Sequence, residues 1–379
     1  MAIQLFVPTF DVEGCLNEMR DCLEKGWTGM GYKTVEFEEA WKEYTGLSHA
    51  HFLNSATAGL YLAVEMLREQ GGWTMQDEII TTPLTFVSTN HAILQGGMKP
   101  VFADVDETLC LDPAEVKKKI TNRTRAVMFV GVGGNTGALD EIVQLCKDHG
   151  LKLILDAAHM AGTKLHGQIP GKEADAIVYS FQAVKNLPTS DSGMLCFTNE
   201  ELDAIARKKS WLGINKDTYA RSTGSEGTYK WEYDVEYVGY KYNGNALTAA
   251  VGLAQLPHLD EGNAYRRKLA HWYEGGFAPY GESIGLVPIA EGCESSRHLF
   301  QIVVDERNQL LDHLNQHDIY PGVHYTDNTR YRMYSYAQGT CPRASYYSEH
   351  LLSLPLHLRL TCEDVDTVIK RVVEFVHGS

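Results

Sequence analysis

Apolar residues recur at helical spacing near the start of the chain and gather farther on into short continuous runs. Over residues 11–25 they return every three or four positions and stop at Gly26, which predicts a first helix. A second helix is predicted for residues 33–45. From there to about residue 200, short Val- and Ile-rich runs alternate with helical segments. This alternation predicts an α/β fold, a mainly parallel sheet covered by helices.

The pattern changes in the second half of the chain. Residues 205–240 are rich in Gly, Tyr, Ser and charge and show no clean period, which predicts a long functional excursion. A helix is predicted at about 246–275, and the runs from residue 284 onward predict a small α+β domain. We therefore expect a large domain at residues 1–245, followed by a linking helix and a small C-terminal domain at residues 246–379.

Composition narrows the class of protein. Hydrophobic residues make up 44% and charged residues 22% of the 379 positions, as in ordinary globular proteins. The net charge of -15 disfavours nucleic acid and anionic membranes as partners, so an anionic ligand would need helix N-termini, backbone amides and a few placed cations. The eight cysteines are scattered without a CxxC pair, and neither an export signal nor a membrane span is evident. We expect a cytoplasmic protein with reduced thiols and no metal site.

Two candidate catalytic residues follow predicted strands, where parallel sheets place their active sites. Lys185 lies five residues after Ser180 in a turn of small residues, and burial there would lower its pKa toward the range of Schiff-base chemistry. Asp156 ends the apolar run KLILD, where a carboxylate needs a partner such as a protonated ring nitrogen. A solvated surface lysine and a helix-capping aspartate are the plain alternatives.

Three neighbouring features suit a phosphorylated aromatic ligand. The SATAG segment at 55–59 begins a helix, whose free amides and dipole favour a phosphate. Phe86 follows another strand and could lie flat on a ring, and His159 could bond a ring hydroxyl. An N-cap, a core phenylalanine and a structural histidine are the alternatives for these three.

Several motifs in order carry a resemblance to a known family. They are SATAG, TPLTFVSTNHAI, PVFADVD, LILDAAH, SFQAVKN, GYKYN followed by GLAQL, and SLPL. Together they resemble the DegT/DnrJ/StrS family of sugar aminotransferases over about residues 8–376. The resemblance implies a fold type I, aspartate aminotransferase-like enzyme that depends on pyridoxal 5'-phosphate. Its fold would be a mainly parallel seven-stranded sheet flanked by helices, with a smaller C-terminal α+β domain.

The resemblance also implies roles for individual residues. Lys185 becomes the catalytic Schiff-base lysine, Asp156 the partner of the ring nitrogen, Phe86 the stacking ring and His159 the neighbour of the 3-hydroxyl. The cofactor phosphate would be held by Ala56, Thr57 and Ser180. Dehydratases of the family carry histidine in place of the lysine, so the retained lysine favours amino transfer over dehydration.

One motif departs from the family at a position expected to serve the partner subunit. The usual GYNYR stretch reads GYKYN at 239–243, in a loop that normally reaches the active site of the other subunit of a homodimer. Lys241 replaces the phosphate-binding asparagine and could serve as a point charge, with Asn243 as a fallback.

A second departure concerns the substrate. The proline-rich stretch of the family is GVHYTDNTR at 322–330 here, which predicts an unusual sugar-side pocket. The candidate substrate-binding residues are Thr28, His324, Tyr325 and Arg330.

The implied reaction moves an amino group from glutamate to the carbonyl of a sugar. The expected acceptor is a nucleotide-linked keto-deoxy sugar for cell-surface polysaccharide or lipopolysaccharide biosynthesis. The alternative is a free sugar acid, such as 8-oxo-Kdo that becomes 8-amino-Kdo. A non-catalytic regulator on the same fold would have lost the lysine or gained a DNA-binding segment, and the sequence shows neither change.

Overall fold

The computed structural model describes residues 2–215 and 233–378. The strands of this part of the chain are β1 (Ile3–Gln4), β2 (His51–Leu53), β3 (Glu78–Thr81), β4 (Lys99–Phe102), β5 (Thr124–Val130), β6 (Lys152–Asp156), β7 (Lys164–Leu165), β8 (Ala176–Ser180), β9 (Gly193–Phe197), β10 (Gly285–Leu286), β11 (Cys293–Glu294), β12 (Phe300–Val303), β13 (Ile319–Tyr320) and β14 (Leu351–Leu354).

The helices of the same residues cover the sheets. They are α1 (Val12–Glu24), α2 (Tyr32–Thr45), α3 (Ala56–Gly71), α4 (Val87–Gln95), α5 (Pro113–Lys119), α6 (Leu139–His149), α7 (Glu200–Ser210), α8 (Ala246–Gln255), α9 (Leu259–Phe277), α10 (Arg307–Gln316), α11 (Pro342–His350) and α12 (Cys362–His377).

A seven-stranded sheet forms the centre of the described residues, in the order β2-β9-β8-β6-β5-β3-β4. Strands β3, β4, β5, β6 and β8 are parallel, whereas β9 is antiparallel to both of its neighbours. The prediction of a mainly parallel seven-stranded sheet is confirmed. Because the parallel strands point the same way, their carboxyl ends meet at one edge of the sheet.

Each sheet strand is apolar on both faces because helices cover both faces. In β5, Val127 and Phe129 pack in one core with Trp41 of α2. The intervening Met128 packs in the opposite core with Leu62 of α3. Successive side chains of a strand point to opposite sides, so a continuous apolar run fills two cores at once.

The C-terminal region forms a separate layer of mixed structure. Strands β10, β12 and β14 make an antiparallel sheet, and α9, α10 and α12 pack on it around a core of their own. The first residues of the chain also join this layer, since β1 pairs in parallel with β13. Because of this pairing, the start of the chain lies near the carboxyl edge of the large sheet. The predicted α+β character of the C-terminal region is confirmed.

The linking helix is interrupted, contrary to the single helix predicted at 246–275. Helix α8 ends at Gln255, a 3₁₀ turn covers Leu256–His258, and α9 then begins. Pro257 explains the break, because proline lacks an amide hydrogen and clashes with the preceding helical turn.

The excursion predicted at 205–240 begins later than expected, because α7 continues to Ser210. Beyond that helix, Ile214 bridges to Val235 and Trp211 bridges to Lys241, so the two ends of the excursion run antiparallel to each other. Residues 216–232 lie outside the described residues, and the functional role of the excursion stays a prediction. Within the described residues, no helix has both the length and the apolar character needed to span a membrane.

A buried ionic network ties α2 and α7 to the edge strand β2. The Glu38 carboxylate accepts the backbone amide of Phe52 at 2.7 Å and pairs with Arg207 at 2.7 Å and His51 at 3.1 Å. Burial raises the pKa of Glu38, but these partners outweigh it and hold the pKa below its ordinary value. Strand β2 leads directly into α3, so this network helps to place the start of that helix.

Replacement of Glu38 by glutamine is expected to lower the free energy of unfolding by about 2 kcal/mol, because it removes the charge of a buried carboxylate and leaves the partly exposed Arg207 with Asp203 as its remaining ion-pair partner. Urea titration at fixed protein concentration would measure the change. The wild-type contribution of Glu38 should be present above the carboxylate's unfolded pKa and lost as the pH falls through its lower folded value. The control Lys208→Gln removes an exposed pair with Glu236 and should change stability by less than about 0.5 kcal/mol. Equal effects of the two substitutions would contradict this assignment.

Candidate active site

A cleft of about 660 Å³ opens at the carboxyl edge of the large sheet. The ends of β5, β6 and β8, the start of α3 and the turn before α4 form its floor, and residues from the C-terminal layer close one side. The predicted site residues that the structure brings together here are Ala56, Thr57, Phe86, Asp156, His159, Ser180, Lys185, His324 and Tyr325.

Lys185 lies in the turn that joins β8 to β9. The turn is fixed by its own backbone, since the amide of Lys185 donates to the Gln182 carbonyl and Ala183 bonds to Ser190. Lys185 lines the cleft, and its amine has no hydrogen-bond or ion-pair partner among residues 2–215 and 233–378. Burial lowers the pKa of Lys185 to about 8, although the charge of Asp156 acts in the opposite direction. A neutral, nucleophilic amine is thus accessible near physiological pH.

Asp156 ends β6 and is 3% exposed. One carboxylate oxygen accepts the Thr89 hydroxyl at 2.8 Å and the other accepts the Ala158 amide at 3.2 Å. Burial raises the pKa of Asp156, while these two donors and Lys185 act against that rise. No cation within the described residues forms an ion pair with this carboxylate. A protonated ring nitrogen would supply the missing charge, so Asp156 fits a pyridine ligand.

His159 is held between a backbone amide and a phenol. The amide of Gly133 donates to Nδ1 at 3.1 Å, so the proton of the neutral ring resides on Nε2, which faces the Tyr325 hydroxyl at 2.9 Å. Burial, followed by the charges of Lys185 and His324, lowers the pKa of His159 well below its ordinary value. The Tyr325 hydroxyl proton is therefore free for an oxygen atom in the cleft.

The start of α3 offers an anion site to the same cleft. Ser55 caps the helix by accepting the amide of Ala58, while Ala56 and Thr57 occupy the first turn, where amides have no acceptor within the helix. Gly193 of β9 passes so close that a Cβ there would lie 2.5 Å from the Ala56 nitrogen. Only glycine permits this approach, and the amides and the helix dipole suit a phosphate group.

Phe86 presents an exposed aromatic surface within the cleft. It is the N-cap of α4 and 58% exposed, and its ring centroid lies 6.2 Å from that of Tyr325. An aromatic ring left in water at the mouth of a cleft is available for stacking on a planar ligand.

Three of the four predicted site residues that lie outside the cleft are found together. Thr28, Lys241 and Asn243 share a separate cavity with Trp211. The Lys241 amine lies 3.3 Å from the centroid of the Trp211 ring and donates to Asn243 at 3.0 Å. Within one chain, these residues do not reach the cleft.

The predicted substrate residues His324 and Arg330 separate in the structure. His324 lines the cleft, where Ser353 bonds its Nδ1 at 3.0 Å and burial lowers its pKa to about 4. Arg330 is exposed and pairs with Glu349 of α11. This ion pair holds Arg330 outside the cleft, so the structure does not bring together the two residues expected to face an anionic sugar.

Sequence reasoning missed four residues that shape the cleft: Phe6, Thr89, Gly133 and His298. Thr89 lies one helical turn after Thr85, which bonds it at 3.0 Å, and this spacing could have been noticed. His298 and Phe6 come from distant segments and stack at 5.4 Å. No local pattern in the sequence marks them.

The fold and the cleft are typical of one class of enzyme, the aminotransferases. The family model of the DegT/DnrJ/EryC1/StrS aminotransferases matches residues 11–373. Spore coat polysaccharide biosynthesis protein SpsC of Bacillus subtilis is 36% identical over 96% of this chain and 95% of its own length. The chain therefore belongs to the DegT/DnrJ/EryC1/StrS aminotransferase family, and its class is that of the sugar aminotransferases.

Solved structures agree with this assignment. The aminotransferase TlmJ of Streptoalloteichus hindustanus superimposes with a TM-score of 0.90 at 32% identity and covers 99% of both chains. PseC of Helicobacter pylori, an aminotransferase of pseudoaminic acid biosynthesis, superimposes with a TM-score of 0.91 at 26% identity and covers 100% of both chains. Spr1654 of Streptococcus pneumoniae, solved in its PLP form, superimposes with a TM-score of 0.89 at 28% identity. The superposition covers 100% of this chain and 99% of the Spr1654 chain.

The lowered pKa of Lys185 predicts its reactivity in the cofactor-free protein. Modification of its amine by trinitrobenzenesulfonate, followed by mass spectrometry against pH, should show a midpoint near 8. For the solvated lysines in the same digest, the midpoint of modification should lie at a pH of about 10.4. Asp156→Asn should shift the Lys185 midpoint downward, since it removes the charge that raises this pKa. A midpoint that coincides with the solvated lysines would refute the desolvation argument.

Proposed function

We propose that this enzyme binds pyridoxal phosphate through Lys185 and moves an amino group from glutamate to the carbonyl of a nucleotide-linked keto-deoxy sugar. This proposal rests on the amine of Lys185 and the carboxylate of Asp156, which share a cleft and have no ion-pair partner in the part of the chain that the structure describes. The amino sugar would serve cell-surface polysaccharide biosynthesis, an inference that SpsC and PseC support by their own described roles.

The residues of the cleft fit the cofactor one by one. The first turn of α3, with Ala56 and Thr57, would hold the phosphate together with Ser180. Phe86 would cover one face of the ring. When bound, pyridoxal phosphate would supply an electron sink for negative charge at the carbon that carries the amino group.

Asp156 and its neighbours would control protons at the ring. Asp156 would keep a proton on the ring nitrogen, and Thr89 fixes the carboxylate for this task because Thr85 in turn bonds Thr89. The Tyr325 hydroxyl, oriented by His159, would face the ring oxygen. These contacts would hold the ring in one orientation while the substrate changes.

Lys185 would act as the acid and base of the reaction. Its amine can be neutral near pH 8, so it can take a proton from the donor carbon and return one to the carbon of the acceptor. The three cleft histidines at 159, 298 and 324 have lowered pKa values and stay neutral, so they do not compete for this proton.

The cations that a free sugar acid would need near the 322–330 stretch do not gather in the cleft. His324 is neutral there, and Arg330 pairs with Glu349 outside the cleft. The 322–330 stretch therefore does not present a strong cation to a carboxylate in this cleft.

A homodimer with shared active sites is supported by the residues that lie outside the cleft. Thr28, Lys241 and Asn243 form a polar cluster that one chain does not use in its own cleft. Helix α1 adds an apolar stripe on its outer face, where Val12, Leu16 and Leu23 are between 48% and 61% exposed. Such an apolar stripe suits coverage by a second copy of the chain.

Activity assays would test the proposed reaction. The purified enzyme with glutamate should aminate a nucleotide-linked 4-keto-6-deoxy hexose, detected by mass spectrometry, and should not aminate 8-oxo-Kdo. Lys185→Ala should abolish turnover and the visible absorbance of the bound cofactor. The control Lys152→Ala, at the opposite end of β6 and paired with Asp175, should leave both unchanged. Full absorbance and turnover in Lys185→Ala would eliminate the proposed role.

Mixing of two inactive variants would test the shared site. Lys185→Ala and Lys241→Ala subunits, unfolded and refolded together, should form hybrid dimers in which one of two sites is complete. Because half of the dimers would be hybrids, activity should return to about a quarter of that of the wild type. Separately refolded variants serve as the control. If the mixture is no more active than its parts, Lys241 does not act across an interface.

A further inference from the structure

A second cavity of about 720 Å³ lies on the other side of Lys185. It shares Phe6, Val184 and Lys185 with the catalytic cleft, so the two spaces meet at the reactive lysine. Residues 6–10 near the chain start and the first turns of α9 form much of its walls, which are apolar over most of their area but also include Asp11, Glu261 and Lys268. Its volume suits a small-molecule ligand.

Arg266 is a buried cation in the wall of this cavity. It lies on α9, is 6% exposed, and donates from Nη1 to the Leu356 carbonyl at 2.8 Å. Among the described residues it forms no ion pair with a carboxylate. Burial lowers the pKa of Arg266 to about 10, which is the sign of a charge without compensation. A guanidinium has five donors, and among the described residues this one makes a single hydrogen bond, to a neutral acceptor.

The next residue on the same helix shows how an ordinary arginine is accommodated here. Arg267 pairs with the Glu294 carboxylate at 3.1 Å and bonds the Ser295 carbonyl at 3.3 Å, and its side chain is 31% exposed. A buried charge without such a partner is costly. The contrast indicates that the partner of Arg266 is a group from outside the chain.

The charge of Arg266 acts on both sides of the lysine. His357 lies in the wall of the same cavity, and its pKa falls to about 4. Burial is the largest cause of this decrease, and the charge of Arg266 is the second. Arg266 also contributes to the low pKa of His298 in the catalytic cleft, after burial, His159 and Lys185. An anion beside Arg266 would therefore lie within electrostatic reach of the reaction.

We propose that this cavity is a substrate subsite in which Arg266 receives an oxyanion, either a carboxylate or a phosphate. The planar fork of a guanidinium matches both groups and pairs with them through two hydrogen bonds. The protein is acidic overall, so a buried cation is needed to retain such a group. The two sources, the carboxylate of the amino donor and the phosphate of a nucleotide sugar, rest on the proposed function.

Steady-state kinetics separate the two sources. Arg266→Gln should raise KM about 10-fold to 100-fold for one substrate and change kcat little, because it removes a charge-assisted contact to the bound group. A higher KM for glutamate assigns the subsite to the donor carboxylate, and a higher KM for the nucleotide sugar assigns it to the phosphate. Arg266→Lys should recover part of the loss, and Arg267→Gln should leave both KM values unchanged.

A variant that keeps Arg266 tests whether the KM effect of Arg266→Gln is only a consequence of structural damage. Ala264 lines the cavity and is exposed to it, so Ala264→Trp would fill the space without removing a charge. It should raise the same KM as Arg266→Gln while the absorbance of the bound cofactor stays unchanged. If Arg266→Gln does not fold, the KM values of Ala264→Trp test whether a substrate occupies the cavity.

Ligand binding to the cofactor-loaded enzyme tests the subsite without turnover. In the pyridoxal form, 2-oxoglutarate or inorganic phosphate should raise the Tm of the wild type and of Arg267→Gln, but not of Arg266→Gln or Ala264→Trp. This result would support the subsite even if no sugar were aminated. Unchanged KM values together with unchanged ligand stabilisation in Ala264→Trp and in folded Arg266→Gln would overturn the proposal.

Discussion

Desolvation of two ionisable groups at one edge of the sheet is the constraint on which the rest of the structure depends. Asp156 and Lys185 influence each other electrostatically, yet among the described residues neither has an ion-pair partner. Such groups are costly to bury, so the surrounding protein must hold them. The two groups are held in place by the helix-covered faces of the sheet, by the turn after β8 and by the hydroxyl of Thr89. A ligand that brings complementary charge would compensate this cost.

The C-terminal layer completes the cleft and controls its electrostatics. It supplies His298, His324 and Tyr325, while the start of the chain adds Phe6 by pairing with β13. Each cleft histidine has a hydrogen-bond partner that orients it, and burial keeps it neutral. Asn186, directly after the lysine, fixes His298 and bonds Asn263 of α9, so the lysine turn is anchored to the linking helix. The cleft thus depends on contact between the two halves of the chain.

Part of the site followed from local sequence patterns. Asp156, Ser180 and the start of α3 were predictable because each follows an apolar strand, and the carboxyl ends of parallel strands meet. The tautomer of His159 could not be predicted from a local pattern, since it depends on Gly133, which is 26 residues away in sequence. Arg330 illustrates the opposite error. Its charge suggested ligand binding, but Glu349 neutralises it at the surface.

The sequence by itself determined the alternating elements, the parallel sheet and the strand ends where the chemistry is expected, because side-chain periodicity and local turns are encoded within a few residues. Only the tertiary structure decided which distant residues face Lys185. It also separated Thr28, Lys241 and Asn243 from the cleft of their own chain and left Arg266 without an acidic partner among residues 2–215 and 233–378. Burial and ion pairing depend on the packing of segments far apart in sequence, so they are properties of the folded chain.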